Sequence, residues 1–163
     1  MTFELETLSV ETGRTLHAAG LTIACAESCT GGLLTSTLTD VPGSSSYILG
    51  SIVSYSNDVK SRILHVAEDT LAGYGAVSEE TAREMAEGVR RLMQTDLGVG
   101  ITGIAGPDGG SAEKPVGLVY IAVSSQTRTV VQKNYFHGTR LENKQAAVAN
   151  ALAMIRDVLR SSL

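Results

Sequence analysis

The fold is decided by residues 21–32, LTIACAESCTGG, where a short apolar run meets a turn of small and polar residues. Residues 21–25 predict a buried strand, and a helix is expected from Thr30 to about Thr39, followed by a turn at Pro42-Gly43. A strand that leads directly into a helix is the repeating unit of α/β domains. The stretch therefore predicts an α/β fold with Ser28 at a strand-to-helix turn.

The remaining elements follow from the spacing of apolar residues. Strands alternate with helices early in the chain and two strands adjoin later. We therefore expect residues 1–163 to form a single three-layer α/β/α domain with a mixed, mostly parallel sheet of about five strands. The predicted helices are 2–19 (ended by Gly20), 57–64, one capped by Ser78, and one from about Thr139 with Leu141 facing inward; the predicted strands are 47–55, 97–102, 116–123 and, as an edge strand, 128–136.

Composition excludes several classes of protein. A chain of 163 residues, 43% hydrophobic and 18% charged, is typical of one globular domain. No apolar run is long enough to span a membrane, and the acidic residues 1–6 are unlike a signal peptide, so a cytoplasmic protein is expected. The net charge is −4 and the basic residues are scattered, which argues against nucleic-acid binding.

Neither cysteines nor histidines form a metal-binding pattern. Cys25 and Cys29 are four residues apart, which is not a usual zinc spacing, and Cys25 fits a small buried hydrophobe. His17, His65 and His137 are far apart in the sequence. We therefore expect no metal and no cofactor.

Three loops, at residues 26–32, 54–60 and 103–110, each follow a predicted strand. If those strands are parallel, their carboxyl ends share one edge of the sheet, where ligand crevices form in open α/β folds. The first loop would expose the Ser28 hydroxyl, and free N–H groups of the next helix could bind a phosphate or an oxyanion. Gly31 and Gly32 would let a ligand approach closely. Alternatively, Ser28 or Thr30 is only a helix N-cap.

The other two loops add a base and anion-binding groups. A serine nucleophile needs a base, and Lys60 can serve if burial lowers its pKa by about three units, equivalent to roughly 4 kcal/mol; otherwise it is a solvated helix lysine. Thr102 and Gly103 begin a glycine-rich loop that lacks P-loop spacing but could bind an anion, and Asp108 is a ligand or a turn former. Arg140 could pair with a phosphate or carboxylate, or lie on the surface.

Together these segments resemble one family, the nicotinamide-nucleotide amidases, also known as the CinA C-terminal domain family. The resemblance runs from about residue 5 to 160. Larger CinA proteins carry an additional N-terminal domain, so we expect the stand-alone amidase. The matching stretches are AESCTGG at 26–32, PGSS at 42–45, YSN at 55–57 with Lys60, GAVS at 75–78, and TGIAGPDGG at 102–110 running into KPVG at 114–117.

The resemblance implies metal-free hydrolysis of nicotinamide mononucleotide to nicotinic acid mononucleotide and ammonia. It implies Ser28 as nucleophile, Lys60 as general base, Ser45 as a proton relay, and Tyr55 orienting Lys60 or lining the pocket. Backbone N–H groups would hold the oxyanion or the substrate phosphate, with Arg140 a weaker candidate for the phosphate. These N–H groups belong to Thr30, Gly31 and Gly32 in the first loop and to Thr102 and Gly103 in the third.

Two other functions stay open at this stage. The same loops could form a non-catalytic module that binds a nucleotide or docks a competence or recombination partner, although such a binder needs no nucleophile with a base. The substrate could also be another amide or a phosphate ester. A homodimer is expected because two-fold symmetry is the commonest arrangement of soluble oligomers.

Overall fold

The computed structural model describes residues 2–162; Met1 and Leu163 lie outside the described part. Its helices are α1 Phe3–Ala19, α2 Leu33–Thr39, α3 Asn57–Arg62, α4 Glu68–Gly73, α5 Glu79–Met93 and α6 Arg140–Ser162, with a short 3-10 helix at Ser44–Ser46. Its strands are β1 Ile23–Glu27, β2 Ile48–Val53, β3 Leu97–Gly103, β4 Leu118–Ser124 and β5 Thr129–Tyr135. No helix within 2–162 is long and apolar enough to cross a membrane.

The five strands form one sheet in the order β2-β1-β3-β4-β5. β1 pairs in parallel with β2 and with β3, whereas β4 is antiparallel to both of its neighbours. Four of the five strands thus run in one direction, which confirms the predicted mixed, mostly parallel sheet. Glu27 pairs with Val53 on one side and Ile101 on the other, so β1, β2 and β3 end at the same edge.

Helices cover both faces of the sheet, as the three-layer prediction requires. One face packs against α1, α2 and α6 in a core that includes Leu16, Leu34 and Leu152. The other face packs against α5. A Cβ at Gly100 would lie 2.4 Å from the Ala82 carbonyl oxygen, so the absence of a side chain there lets α5 lie directly on β3.

Two residues that the sequence assigned to helix ends, Gly20 and Ser78, have these roles in the structure. Gly20 ends α1 with φ 66°, and the Ser78 hydroxyl accepts the Thr81 N–H at the start of α5, both as predicted. The inward orientation predicted for Leu141 is wrong, because 58% of this residue is exposed in the first turn of α6. Helix α4 was not predicted, and none of its residues is buried to give an apolar period.

Candidate active site

The three predicted loops meet at the carboxyl edge of β1, β2 and β3. They enclose a cavity of about 280 Å³ that opens to solvent. The loop after β1 contributes Ser28 and Cys29, and the end of β3 contributes Thr102 and Gly103 together with the turn that follows. The cavity is also lined by residues from other parts of the chain: Tyr55, Asn57 and Lys60 after β2, Ala76, Val77 and Asp108 in loops, and Arg140 on α6.

A serine and a lysine are in direct contact in the wall of this cavity. The Lys60 Nζ donates to the Ser28 Oγ at 3.0 Å and to the Ser54 carbonyl oxygen at 2.7 Å. Ser56 caps α3 through the Val59 N–H, and this short helix turns Lys60 back over the sheet edge. Lys60 is only 1% exposed, so the alternative of a solvated lysine is wrong.

The electrostatic setting of Lys60 favours its neutral form. Burial lowers the pKa of the amine from its ordinary value, while the neighbouring Cys29 acts in the opposite direction. None of the ion pairs found within residues 2–162 involves Lys60. The lowered pKa makes the amine easier to deprotonate, which is the direction that a general base requires.

The helix that follows Ser28 starts later than predicted, and its amino end is already occupied. The Glu27 carboxylate accepts the N–H groups of Leu34 and Thr35 at 2.9 and 3.0 Å and the Thr35 hydroxyl at 2.7 Å. These N–H groups are not free for a substrate, which corrects that expectation. Gly32 occupies the N-cap position, so the alternative in which Ser28 or Thr30 caps the helix is also wrong.

Three other predicted binding residues in this loop do not line the cavity, namely Thr30, Gly31 and Gly32. Gly31 and Gly32 have φ of 60° and 99°, so the turn itself requires glycine at both positions. Thr30 is buried, and its hydroxyl has no hydrogen-bond partner among the described residues. The two glycines thus allow the turn after Ser28 to form, and neither of them lines the cavity.

Arg140 connects the second and third loops across the cavity. Its guanidinium donates to the Gly106 carbonyl oxygen at 2.7 Å and to the Tyr55 hydroxyl at 2.9 Å. Tyr55 lines the cavity but makes no hydrogen bond to Lys60, whose amine is instead held by the Ser54 carbonyl. Arg140 is exposed, as the surface alternative expects, and its side chain also lines the cavity together with Tyr55.

Thr102 and Gly103 lie where they were predicted, at the cavity wall. The Thr102 hydroxyl donates to the Ala76 carbonyl oxygen at 2.7 Å and so fastens β3 to the loop before α5. Asp108 also borders the cavity. The third loop therefore contributes wall and rim to the cavity rather than a phosphate-binding helix end.

Ser45 is not part of this cavity. It is exposed, and it lies in the 3-10 helix Ser44–Ser46 that precedes β2. The neighbouring Tyr47 carbonyl accepts the N–H of Ile23, the first residue of β1, whereas Ser28 follows the last residue of that strand. Within one chain, Ser45 is at the opposite edge of the sheet and cannot relay a proton to Ser28.

Sequence reasoning missed two groups that organise the site: the Glu27 carboxylate and the Ser54 carbonyl. A buried glutamate at the end of an apolar strand was a usable signal for the first, whereas a backbone carbonyl leaves none.

Cys29 also lines the cavity, and burial raises the pKa of its thiol to about 12. In the stretch 2–162, no group of three or more His, Cys, Asp or Glu side chains is arranged to hold a metal ion.

The chain is an α/β protein with a buried serine–lysine pair at the carboxyl ends of its parallel strands. Residues 5–159 match the CinA C-terminal domain, and the chain therefore belongs to this family. It is 51% identical over 151 residues to a CinA-like protein of Desulforapulum autotrophicum, covering 92% of this chain and 36% of that protein. The chain thus spans little more than a third of the length of the curated relatives it matches.

Solved structures give the same family. The chain superimposes on the competence/damage inducible protein CihA from Agrobacterium tumefaciens with a TM-score of 0.94 and 39% identity, covering 98% of both chains. A CinA superfamily protein from Escherichia coli gives a TM-score of 0.91 and 32% identity, covering 94% of this chain and 90% of that one. Both structures cover nearly the whole of this chain, so the family relationship includes the cavity loops.

Proposed function

We propose that this chain hydrolyses the carboxamide of nicotinamide mononucleotide, giving nicotinic acid mononucleotide and ammonia. The observation that carries the proposal is the 3.0 Å contact between the Lys60 amine and the Ser28 hydroxyl in a cavity wall. A nucleophile with a desolvated base in hydrogen-bond reach is the arrangement that acyl transfer needs. The choice of substrate rests on the resemblance to nicotinamide-nucleotide amidases.

The proposed reaction has two halves. Neutral Lys60 takes the Ser28 proton as the hydroxyl oxygen attacks the carboxamide carbon, and the protonated amine then gives that proton to the departing ammonia. Water then attacks the carbonyl carbon of the resulting ester, and Lys60 takes a proton from this water. The bond to the Ser28 oxygen breaks, Lys60 returns the proton to that oxygen, and nicotinic acid mononucleotide leaves. In the neutral amine, one N–H can stay on the Ser54 carbonyl at 2.7 Å while the lone pair accepts the Ser28 O–H.

A mononucleotide substrate carries a phosphate, and Arg140 provides a positive charge that can bind it. Its contacts with Gly106 and Tyr55 use two of the five N–H donors of a guanidinium, so others remain for a phosphate. The Tyr55 hydroxyl, held by the same guanidinium, forms part of the wall beside it. We assign both residues to substrate binding and the Ser28–Lys60 pair to the chemistry.

Ammonia release from nicotinamide mononucleotide, nicotinamide and glutamine, measured side by side, tests the proposal. Wild type should act on the mononucleotide with the highest kcat/KM, and Ser28→Ala should lose at least about a thousandfold while remaining folded. Ser36→Ala, at an exposed serine of α2, is the matched control and should keep full activity. Near-normal turnover by folded Ser28→Ala would exclude Ser28 as the nucleophile.

The other candidate function is a non-catalytic module, and the observation favouring it is that several relatives are named only as competence-damage inducible proteins. Calorimetric titration with nicotinamide mononucleotide separates the two functions. Binding of the intact nucleotide, with no ammonia or acid product after long incubation, would favour the module. Release of stoichiometric ammonia and nicotinic acid mononucleotide would favour the amidase.

A further inference from the structure

The start of α6 reaches all three loops around the cavity that holds Ser28 and Lys60. Arg140 donates to the Gly106 carbonyl oxygen in the third loop and to the Tyr55 hydroxyl after β2. One helical turn later, Lys144 extends toward the first loop, because a Cβ atom at Gly31 would lie 3.7 Å from the Lys144 Nζ. Side chains four residues apart lie on the same face of a helix. Two cations of α6 therefore lie next to each other at the catalytic edge of the sheet.

No acidic side chain neutralises this pair of cations. Lys144 is half-buried, and within residues 2–162 its amine forms neither a hydrogen bond nor an ion pair. Glu142, which lies between the two cations in the sequence, accepts the Thr139 N–H at 2.7 Å at the beginning of the helix. Like charges four residues apart on a helix repel each other. A bound anion would remove this repulsion, and the two cations are arranged to receive one.

The charge of Lys144 acts on the wall of the cavity, although Lys144 does not line it. Burial raises the pKa of the Cys29 thiol to about 12, and the charges of Lys144 and Lys60 act on this thiol in the opposite direction. Cys29 lines the cavity, whereas Gly31, which the Lys144 amine approaches, is exposed. The amine therefore lies at the outer margin of the site, where it can contact the end of a ligand that projects from the cavity.

A phosphate monoester has the charge that this arrangement requires. Near neutral pH such a group carries between one and a half and two negative charges, roughly, and three acceptor oxygens. The neutral Lys60 amine adds no positive charge to the site. Arg140 can balance about one of the negative charges and Lys144 the other, each through charge-assisted hydrogen bonds. A mononucleotide with its carboxamide at Ser28 would carry this phosphate at its opposite end.

We propose that Lys144 and Arg140 together form a phosphate subsite at the margin of the Ser28–Lys60 cavity, and that Lys144 makes the site selective for a nucleotide over the corresponding nucleoside. The selectivity rests on the proposed amidase function. Lys144 takes no part in the bond changes at Ser28, so it stabilises the bound substrate and the transition state equally. Its contribution should therefore appear in KM rather than in kcat.

Ammonia release from nicotinamide mononucleotide and from nicotinamide riboside tests the selectivity, because the two substrates differ only in the phosphate. Lys144→Met should lower the ratio of kcat/KM for the nucleotide to kcat/KM for the riboside at least about tenfold, mainly through KM of the nucleotide. Lys144→Arg should keep most of the ratio. Lys133→Met removes the same charge from the exposed part of β5 and should leave the ratio unchanged. An unchanged ratio in Lys144→Met would overturn the proposed role, since a merely structural lysine would affect both substrates equally.

Calorimetric titration with ribose 5-phosphate and with ribose tests the subsite without any hydrolysis. Wild type should bind the phosphorylated sugar more tightly than ribose, and Lys144→Met should raise the Kd of ribose 5-phosphate at least about tenfold. Lys133→Met should bind it as wild type does. Equal affinity of wild type for the two sugars, or an unchanged Kd in Lys144→Met, would overturn the subsite. If wild type releases ammonia from neither nucleotide nor riboside, the proposed function fails, and the titration still decides whether the phosphate subsite exists.

Discussion

Two adjacent residues at the end of β1, Glu27 and Ser28, are both buried but differ in their partners. Glu27 accepts three hydrogen bonds from the first turn of α2, so its carboxylate is satisfied entirely within the fold. Among residues 2–162, the Ser28 hydroxyl is hydrogen-bonded to one side chain, the Lys60 amine, and it borders a cavity. One buried polar group thus fastens a helix to the sheet, whereas its neighbour faces a space that a substrate can enter.

The difference shows how a structural buried group can be told from a chemical one. Burying a polar group is unfavourable unless its hydrogen bonds are replaced, and Glu27 has them replaced by α2. Lys60 has a carbonyl and a hydroxyl but no carboxylate, so burial lowers its pKa. A perturbed base beside a nucleophile at a cavity is typical of active sites. Variants at each position can therefore separate stability from activity.

The largest effect is expected for Lys60→Met. Loss of the general base should lower kcat by about a thousandfold, whereas the free energy of unfolding should stay unchanged or rise, since a desolvated amine is replaced by an apolar chain of similar length. Lys133→Met, on the exposed part of β5, is the control and should retain activity. Ammonia release and urea unfolding measure both effects. Equal activity of the two variants would mean that the base lies elsewhere.

The same amine predicts a pH dependence of stability. The pKa of Lys60 is lower in the folded chain than its ordinary value of 10.5, so between the two values the unfolded chain binds more protons. The free energy of unfolding should therefore rise with pH across that window, relative to Lys60→Met, in which this contribution is absent. Urea unfolding of both proteins at a series of alkaline pH values measures the difference. A difference that is constant with pH would contradict the lowered pKa.

Glu27→Gln should act mainly on stability. An amide can accept one of the α2 N–H groups but turns its own N–H₂ toward another donor, so the free energy of unfolding should fall by about 2 kcal/mol. The catalytic loss per folded molecule should be much smaller than for Lys60→Met. Glu113→Gln, at an exposed loop position, is the control and should leave both properties unchanged. Activity lost in Glu27→Gln without any loss of stability would mean that Glu27 takes part in the chemistry.

The sequence predicted which loops meet at one edge of the sheet, because strand direction follows from chain topology. Ser28 and Lys60 follow β1 and β2, and Thr102 is near the end of β3, so parallel pairing of these strands brings all three to one edge. The resemblance supplied the pairing of Ser28 with Lys60. The burial of Lys60 could not be predicted, since α3 is too short to show an apolar face.

Contacts that depend on distant backbone were beyond sequence reasoning. The Ser54 carbonyl that holds Lys60 has no sequence signal, and neither does the Gly106 carbonyl that fixes Arg140. Ser45 carried a motif, but a motif gives no information about which edge of the sheet it will occupy. Its position before β2 separates it from Ser28 within one chain.

The smallest effect is expected for Cys29→Ala, at the residue that follows Ser28. Cys29 lines the cavity next to Ser28, and a thiol is intrinsically the better nucleophile. Burial, however, raises the pKa of this thiol to about 12, so near neutral pH it stays protonated and inert. We expect kcat of Cys29→Ala to remain within about threefold of wild type, and ammonia release measures it. A loss as large as that of Ser28→Ala would show that the sulfur, rather than the hydroxyl, attacks the substrate.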